Sequence, residues 1–369
     1  MPKAACLQNN FIPGGTTKVT LAVIEVLNDL GVVPDVYCFE GVEAEELNQS
    51  ERVSVNYHLK FIPDLGIKSF GALKGIYRNL NFSQRAEQYK LVFNADSYLM
   101  CFPDDRRYFH YILYPRRVEI KNFSQDASLL KKYLYSLPLS LLYKFERIQE
   151  SSTYLVLSKF SKKLIKDHYH IPQESNLKIL YPPVKLDLFR SAPSIRSNTI
   201  CSVGSFDPSK NQLEQIELAS QMPSFQFLIM GTTCLNKDYY RKCQRKVEKL
   251  NLSNVQLLPD IPREKLIVNL QKSRFFLHTK EYEPFGIAAV EAAAAGCLPI
   301  VHNSGGQVET VPFPELRFDR FKEIPSIIAR ANSGEFRDTK RLLREHIRKF
   351  DQSIFKREVK DLFSAVCFL

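Results

Sequence analysis

"RFFLHTKEYEPFGIAAVEAAAAGCLPIVHNSGG", residues 274–306, holds a strand, a loop, a helix and a second strand in one run. "RFFLHT" (274–279) is a nearly continuous apolar run, as a strand covered on both faces requires, and Thr279 lies at its carboxyl end. "KEYEP" follows as a loop, Pro284 stiffens the turn, and Gly286 opens a helix that runs to Gly296. "LPIVH" (298–302) is the next strand. A strand, a helix and a strand joined by short links make a parallel sheet with a right-handed crossover. Ligands of such sheets sit outside the carboxyl ends of the strands, where the loop with Glu283 lies.

Glu283 comes just before the helix, and Glu291 is about one and a half turns into it. The freed N–H groups of a helix start favour an anion or an oxygen-rich ligand. Two readings stay open at this point. In one, the stretch is an Ala-rich core helix with an acidic residue suited to its dipole. In the other, two carboxylates at different depths accept paired hydrogen bonds from the hydroxyls of a sugar and a ribose.

The same alternation extends outward in both directions. Before residue 191 the strand candidates are "AACLQN" (4–9), "DVYCF" (35–39), "KLVFN", "YILY" and "TYLVLS". A Gly14-Gly15 turn and a helix over 16–31, closed by Gly31, follow the first of them. A second series carries "TICSVG" (199–204), "FQFLIMG" (225–231) and "VQLL" (255–258) ahead of the opening stretch. Between the series, "ILYPPVKLDLFRSAPSIRSN" has three prolines and reads as a linker. The expected fold is α/β, with two doubly wound Rossmann-like domains, 1–190 and 191–350, facing across a cleft that holds the ligand. "RLLREHIRKFDQSIFKREVKDLFSAV" reads as helix with a break near Asp351, and 351–369 is expected to pack back on the first domain.

Composition agrees with two soluble domains. The chain has 369 residues, 44% hydrophobic and 25% charged. No apolar run is long enough to span a bilayer. "MPKAACLQNN" has no charged-then-apolar signal region, so a cytoplasmic location is expected. The eight cysteines form no CxxC pair and read as buried free thiols. His168 and His170 fall short of a metal-ligand set. Lys and Arg number 51 against 40 Asp and Glu, a net +11, which favours an anionic partner: nucleotide, lipid headgroup or nucleic acid.

"EPFGIAAVE" with "AAAAG" and "NSGG" resembles the E-x7-E signature of the retaining glycosyltransferases of family 4, which have the two-Rossmann GT-B fold. "SVGSFDPSKNQLEQIELAS" (202–220) is similar to that family's phosphate-binding strand, loop and helix. "PGGTTKVTLAVIEVLNDLG" resembles its first glycine loop, and "LSKFSKKLIKDHYHI" with "KILYPPVKLDLF" the end of its first domain. "HT…E…FG", "HNSGG" and "SKNQ" look closest to α-1,2-mannosyltransferases that extend dolichol-linked oligosaccharide.

The resemblance implies roles. Glu283 would bind donor-sugar hydroxyls, and Glu291 the ribose. Backbone N–H groups of Phe285, Gly286 and Ile287, after Pro284, would approach the sugar and diphosphate. Gly204, Ser205, Lys210 and Asn211 would form the phosphate loop, with the Lys210 ammonium facing the leaving diphosphate. Glu283 and Lys210 are the expected catalytic pair. Gly14, Gly15, Lys18 and His110 would serve the acceptor and phosphate side. The implied donor is GDP-mannose ahead of a UDP-sugar. No cofactor and no metal are expected. Two positions depart from the family pattern. Ser205 stands where many members carry an arginine that could fork onto phosphate. Leu113 stands where many carry a histidine, and His110, three residues upstream, faces the other way on a strand.

On the acceptor side, Arg106, Arg107, Arg116, Arg117 and Lys121 mix with aromatics, and "SLLKKYLYSLPLSLLYKF" (128–145) is apolar and basic. Such a segment suits an anionic membrane surface and a glycan or lipid-linked acceptor. The rival readings are a non-catalytic GT-B binding module, kept open by Ser205 and Leu113, and a GT-B enzyme that glucosylates DNA. No nucleic-acid recognition motif is present, so a nucleic-acid partner is not favoured.

Overall fold

Short apolar runs pair as parallel strands in both halves of the chain. The computed structural model describes residues 3–66, 71–96, 99, 102–115, 146–190, 196–234 and 236–367. The basic, apolar segment 128–145 and Arg116, Arg117 and Lys121 lie outside the described residues. Two units are formed: Met1–Pro183 together with Ser353–Leu369, and Val184–Gln352.

The strands are β1 (Ala4–Leu7), β2 (Asn10–Phe11), β3 (Asp35–Cys38), β4 (Glu40–Gly41), β5 (His58–Phe61), β6 (Leu91–Asn94), β7 (Tyr108–Ile112), β8 (Thr153–Val156) and β9 (Leu177–Ile179) in the first unit. Its seven-stranded sheet has the order β5-β3-β1-β6-β7-β8-β9, and β2 and β4 form a separate small ladder. The central strands β1, β6 and β7 are buried along their whole length, so they show no polar alternation. The helix Gly15–Asp29 returns the chain, and Gly31, at φ 75°, follows its C-cap. The helix Gln352–Cys367 belongs to this unit. Phe355, Val359 and Phe363 are buried, Phe363 sits edge-on to Phe109 at 5.0 Å, and Lys356 pairs with Glu25 at 2.9 Å.

His110 requires a correction. The strand expected over "YILY" is Tyr108–Ile112, which leaves Leu113 just past its end and His110 in its middle. His110 therefore lies inside the sheet rather than on an acceptor-facing loop. It is 1% exposed, stacked between Tyr108 and Tyr154 at 6.0 and 5.1 Å, with Asn94 Nδ2 3.1 Å from its Nδ1. Burial pushes its pKa down to about 3. The unfolded imidazole titrates near 6.5. Between these values the unfolded chain binds the extra proton, so stability falls as pH drops from about 6.5 toward 3. His110→Phe keeps the ring stack and removes the titration. It is expected to flatten the pH dependence of unfolding in that window, by up to ~1.4 kcal/mol per pH unit. An unchanged slope in acid-titrated denaturation would show that His110 is not the group responsible.

The second unit contains β10 (Ser197–Val203), β11 (Gln226–Gly231), β12 (Val255–Pro259), β13 (Ser273–His278), β14 (Leu298–His302) and β15 (Arg317–Phe318). The order β12-β11-β10-β13-β14-β15 is the doubly wound 3-2-1-4-5-6 arrangement, so the strand order reverses between β10 and β13. The break expected near Asp351 is present: Arg337–His346 continues as a 3-10 turn over Ile347–Phe350, and Asp351 is extended. Val184 donates to Phe350 O and accepts from Gln352 N, so the two ends of this unit are hydrogen-bonded to each other. The described cysteines 6, 38, 201, 234, 243 and 297 are all free thiols. Among the described residues, no helix is long and apolar enough to cross a membrane.

Candidate functional site

The switch point between β10 and β13 collects polar side chains from several loops. After β10 the chain turns through Gly204, Ser205 and Phe206, and Asp207 caps the short turn Pro208–Lys210 by accepting from Ser209 N at 2.9 Å. Asn211 adopts φ 54°, a left-handed conformation that Asn tolerates, and the helix Gln212–Ser220 begins there. The loop is stitched to the carboxyl end of β13. Thr279 Oγ1 donates to Lys210 O at 2.6 Å, Gln215 Nε2 donates to Thr279 Oγ1 at 2.7 Å, and Asn211 Nδ2 donates to Thr279 O at 2.9 Å. Thr279 and Gln215 are both buried, so these bonds are shielded from water. Gln212 Nε2 holds Ser205 O at 2.8 Å.

This stitching aims the Lys210 side chain past Gly204 toward Glu283. Lys210 Nζ is 2.9 Å from Glu283 Oε2, although the two residues are 73 positions apart. Lys280 Nζ lies 3.4 Å and His278 Nε2 3.9 Å from the same oxygen. Burial opposes ionisation of Glu283, but Lys210, His278 and Lys280 outweigh it and hold the carboxyl down to about 2. His278 goes the other way: burial lowers it to about 4, so it is neutral at pH 7. No hydrogen bond from the described residues reaches Glu283 Oε1, which leaves that oxygen to accept from outside.

Eight positions on, Glu291 is set differently. It projects from the helix Ile287–Ala294, whose N-cap Gly286 has φ 95°, and is 3% exposed. Arg263 forks onto it, Nη2 to Oε1 at 2.5 Å and Nη1 to Oε2 at 3.2 Å. Ala289, Ala292, Ala293 and Ala295 are buried, which lets the helix lie against β13 and β14. The Phe285 side chain is core, edge-on to Phe350 at 5.0 Å, so only its backbone can serve a ligand.

This segment also has counterparts elsewhere. Residues 187–312 match a family described as "Glycosyl transferases group 1". The similarity to that family covers about a third of the chain. A human protein named "GDP-Man:Man(3)GlcNAc(2)-PP-Dol alpha-1,2-mannosyltransferase" is 32% identical over 146 residues, 35% of this chain and 30% of that protein. The protein of the same name from Caenorhabditis elegans is 24% identical over 210 residues, 49% of this chain and 44% of that protein. The chain thus spans less than half the length of these curated relatives. Among solved structures, WaaG, a glycosyltransferase of lipopolysaccharide biosynthesis, superimposes with a TM-score of 0.76 at 15% identity, over 97% of this chain and 99% of that one. Anabaena Alr3699/HepE in complex with UDP and glucose gives 0.72 at 16% identity, over 99% and 100%. At such identities the likeness establishes the fold, which is GT-B.

Within residues 187–312, "NSGG" clasps the Glu283 loop. Gly306 N donates to Glu283 O at 2.7 Å, and Tyr282 N to Ser304 Oγ at 2.8 Å. Tyr282 has φ 50°, a strained value for an aromatic residue. Gly305 has φ 70°, and a Cβ there would lie 2.5 Å from Glu283 O and 2.8 Å from Glu283 N. Gly305→Ala is expected to cost clearly more than the ~1–2 kcal/mol of a left-handed alanine and to displace Glu283. Gly31→Ala is the control, because Gly31 shares the positive φ with nothing within 4 Å of its added Cβ. Equal losses of melting temperature in the two variants would remove Gly305 from the clasp.

The residues expected on the acceptor side lie in the first unit. Gly14 and Gly15 are exposed at the start of the helix Gly15–Asp29, past the carboxyl end of β1, and Lys18 is half-buried in its first turn. Gln8 fixes this loop: its Nε2 donates to Thr17 Oγ1 at 2.8 Å, and its Oε1 accepts from Thr20 at 2.6 Å. Sequence reasoning did not single out Arg263, Gln215, Lys280 or Gln8. Gln215 and Lys280 had a local signal, since each is within five residues of a residue already chosen. Arg263 had none, because its partner is 28 residues away.

Proposed function

We propose that the chain is a retaining hexosyltransferase that takes mannose from GDP-mannose and delivers it to a glycan or lipid-linked acceptor. One observation carries this reading: the Lys210 ammonium and the Glu283 carboxylate meet at 2.9 Å beside the point where the strand order reverses. A diphosphate entering along Gly204–Lys210 draws the ammonium from Glu283 and is neutralised by it. The freed carboxylate accepts from donor-sugar hydroxyls, and the start of the helix Ile287–Ala294 adds N–H groups and a favourable dipole. Lys280, 3.4 Å from Glu283, supplies a second cation where Ser205 replaces the usual arginine. Glu291, already oriented by Arg263, accepts from the ribose hydroxyls. No metal enters this reading, since lysines and the helix start meet the diphosphate charge. As the glycosidic bond breaks, the leaving phosphate takes the proton of the attacking acceptor hydroxyl on the same face. The names of the human and nematode relatives support mannose and a dolichol-linked acceptor. Such an acceptor places the work on a membrane surface, on its cytoplasmic face.

The test is a thermal-shift and hydrolysis screen of GDP-mannose, UDP-glucose, UDP-galactose, UDP-GlcNAc, GDP and UDP. GDP and GDP-mannose are expected to raise the melting temperature, and Glu291→Ala and Lys210→Ala to weaken the effect. Stabilisation by UDP compounds alone moves the donor to a UDP-sugar. Nucleotide binding without transfer to any acceptor leaves a non-catalytic binding module. Stabilisation by no nucleotide removes the donor site.

A further inference from the structure

The opposite edge of the second unit's sheet gathers positive charge with no function in the reaction above. Arg196 immediately precedes β10, Arg274 is the second residue of β13, and Leu298 begins β14, so all three lie at amino ends of strands. The carboxyl edge with Lys210 and Glu283 is roughly 20 Å away, the length of a six-residue strand. A pocket here is lined by Arg274, Phe275, Leu298, Phe336, Arg337 and Lys340, among others, and encloses about 200 Å³. That is smaller than the pocket of a drug-sized ligand but leaves room for a phosphate group.

Arg196 and Arg344 stand beside it. Their guanidinium nitrogens are the nearest atoms to a Cβ built on Gly296, at 2.4 and 2.8 Å, so the two like charges converge on one backbone position. Five cations are thus gathered here: Arg196, Arg274, Arg337, Lys340 and Arg344. Among the described residues none of them has a carboxylate within 4.0 Å, whereas the neighbouring Arg330 has one and Arg341 has two. Arg196 spends its donors on the carbonyls of Ser273, at 2.6 Å, and Ala295. Arg274 reaches Asn198 Oδ1 and Asn332 O only at 3.4 Å. Burial, then Arg196 and Arg344, push Lys340 down to about 8. Gathering unpaired cations costs free energy in the free protein, and a bound anion recovers it.

We propose that this pocket binds a phosphate group, as a phosphomonoester or diphosphate, through Arg274, Arg337 and Lys340, with Arg196 and Arg344 reinforcing the field. The guanidinium forks of Arg274 and Arg337 suit phosphate oxygens. Phe275, Phe336 and Leu298 supply an apolar wall for whatever carries the phosphate.

The proposal stands apart from the donor site, and its test is built to keep them apart. The full chain with Lys210→Ala, which disables the donor edge, is titrated with inorganic diphosphate by calorimetry. The same chain with Arg274→Ala and Lys340→Met added is the comparison. The first protein is expected to bind diphosphate at least tenfold more tightly than the second. Without anion, Lys340→Met alone is expected to raise the melting temperature, because it removes a desolvated cation from among three guanidinium groups, and this readout shows that the variant folds. A second arm uses vesicles of phosphatidylcholine with and without phosphatidic acid. Pelleting with phosphatidic acid, lost in the variant, assigns the phosphate to a lipid headgroup. Diphosphate binding without pelleting assigns it to a soluble ligand. Equal diphosphate binding by the two proteins, with no vesicle difference, overturns the proposal.

Discussion

Replacing Arg263 with alanine is expected to lower the stability of the unit Val184–Gln352 by about 3–5 kcal/mol, the usual cost of breaking a buried ion pair from one side. The Glu291 side chain is 4% exposed and Arg263 is 17% exposed, so the pair is well shielded. The guanidinium also lies over the Phe189 ring, 5.4 Å from its centre, and the truncation loses that contact too. What remains is a carboxylate in a low-dielectric site without its forked cation. Arg263→Lys should recover little, because an ammonium cannot fork onto both oxygens. Arg263→Met with Glu291→Leu should recover most of the loss, because it removes both charges. The chain has no tryptophan, so urea unfolding is best followed by circular dichroism. A midpoint that moves by more than about 1 M for Arg263→Ala fits this cost at ordinary denaturant slopes. A shift near zero would mean that the pair contributes no net stability.

The second large effect is on turnover. Lys210→Ala is expected to lower kcat by about 10²–10³, the range seen when one preorganised donor to developing charge is removed. Stability should change far less, because Lys210 and Glu283 are 21% and 17% exposed and Lys280 remains 3.4 Å from the carboxylate. The Glu283 carboxyl, held at about 2 in the parent, should move up toward the ordinary carboxylate range in the variant. Glu283→Gln should also cut turnover. The double variant should fall well short of the product of the two losses, since the residues act as a unit. Turnover of Lys210→Ala within a fewfold of the parent would return Lys210 to the role of a solvated helix-start lysine.

The second unit's strands were legible where burial on both faces produced unbroken apolar runs. "LPIVH" is the strand Leu298–His302, and "RFFLHT" differs from Ser273–His278 by one residue at each end. The edge strands were not legible. His58–Phe61 is largely exposed, and Arg317–Phe318 has two residues, too few for any periodicity. In the site, Lys210 and Glu283 could be picked out separately, but not their contact, which depends on Thr279 and Gln215 pinning one loop to another. Arg263 was invisible for the same reason: nothing near it marks the helix Arg263–Lys272 as facing Glu291. His110 was misplaced because tyrosine and phenylalanine on either side allow a strand to start earlier than the aliphatic residues suggest.

The first unit is assembled from two stretches of chain, 1–183 and 353–369, with the whole of the second unit between them. During synthesis, Phe109 therefore waits for Phe363 until all of Val184–Gln352 has been made. At about 5–20 residues per second that delay is on the order of thirteen to fifty seconds. Over that interval the second unit, continuous in sequence, can begin to form its sheet, while the first exposes the apolar surface that its last helix will cover.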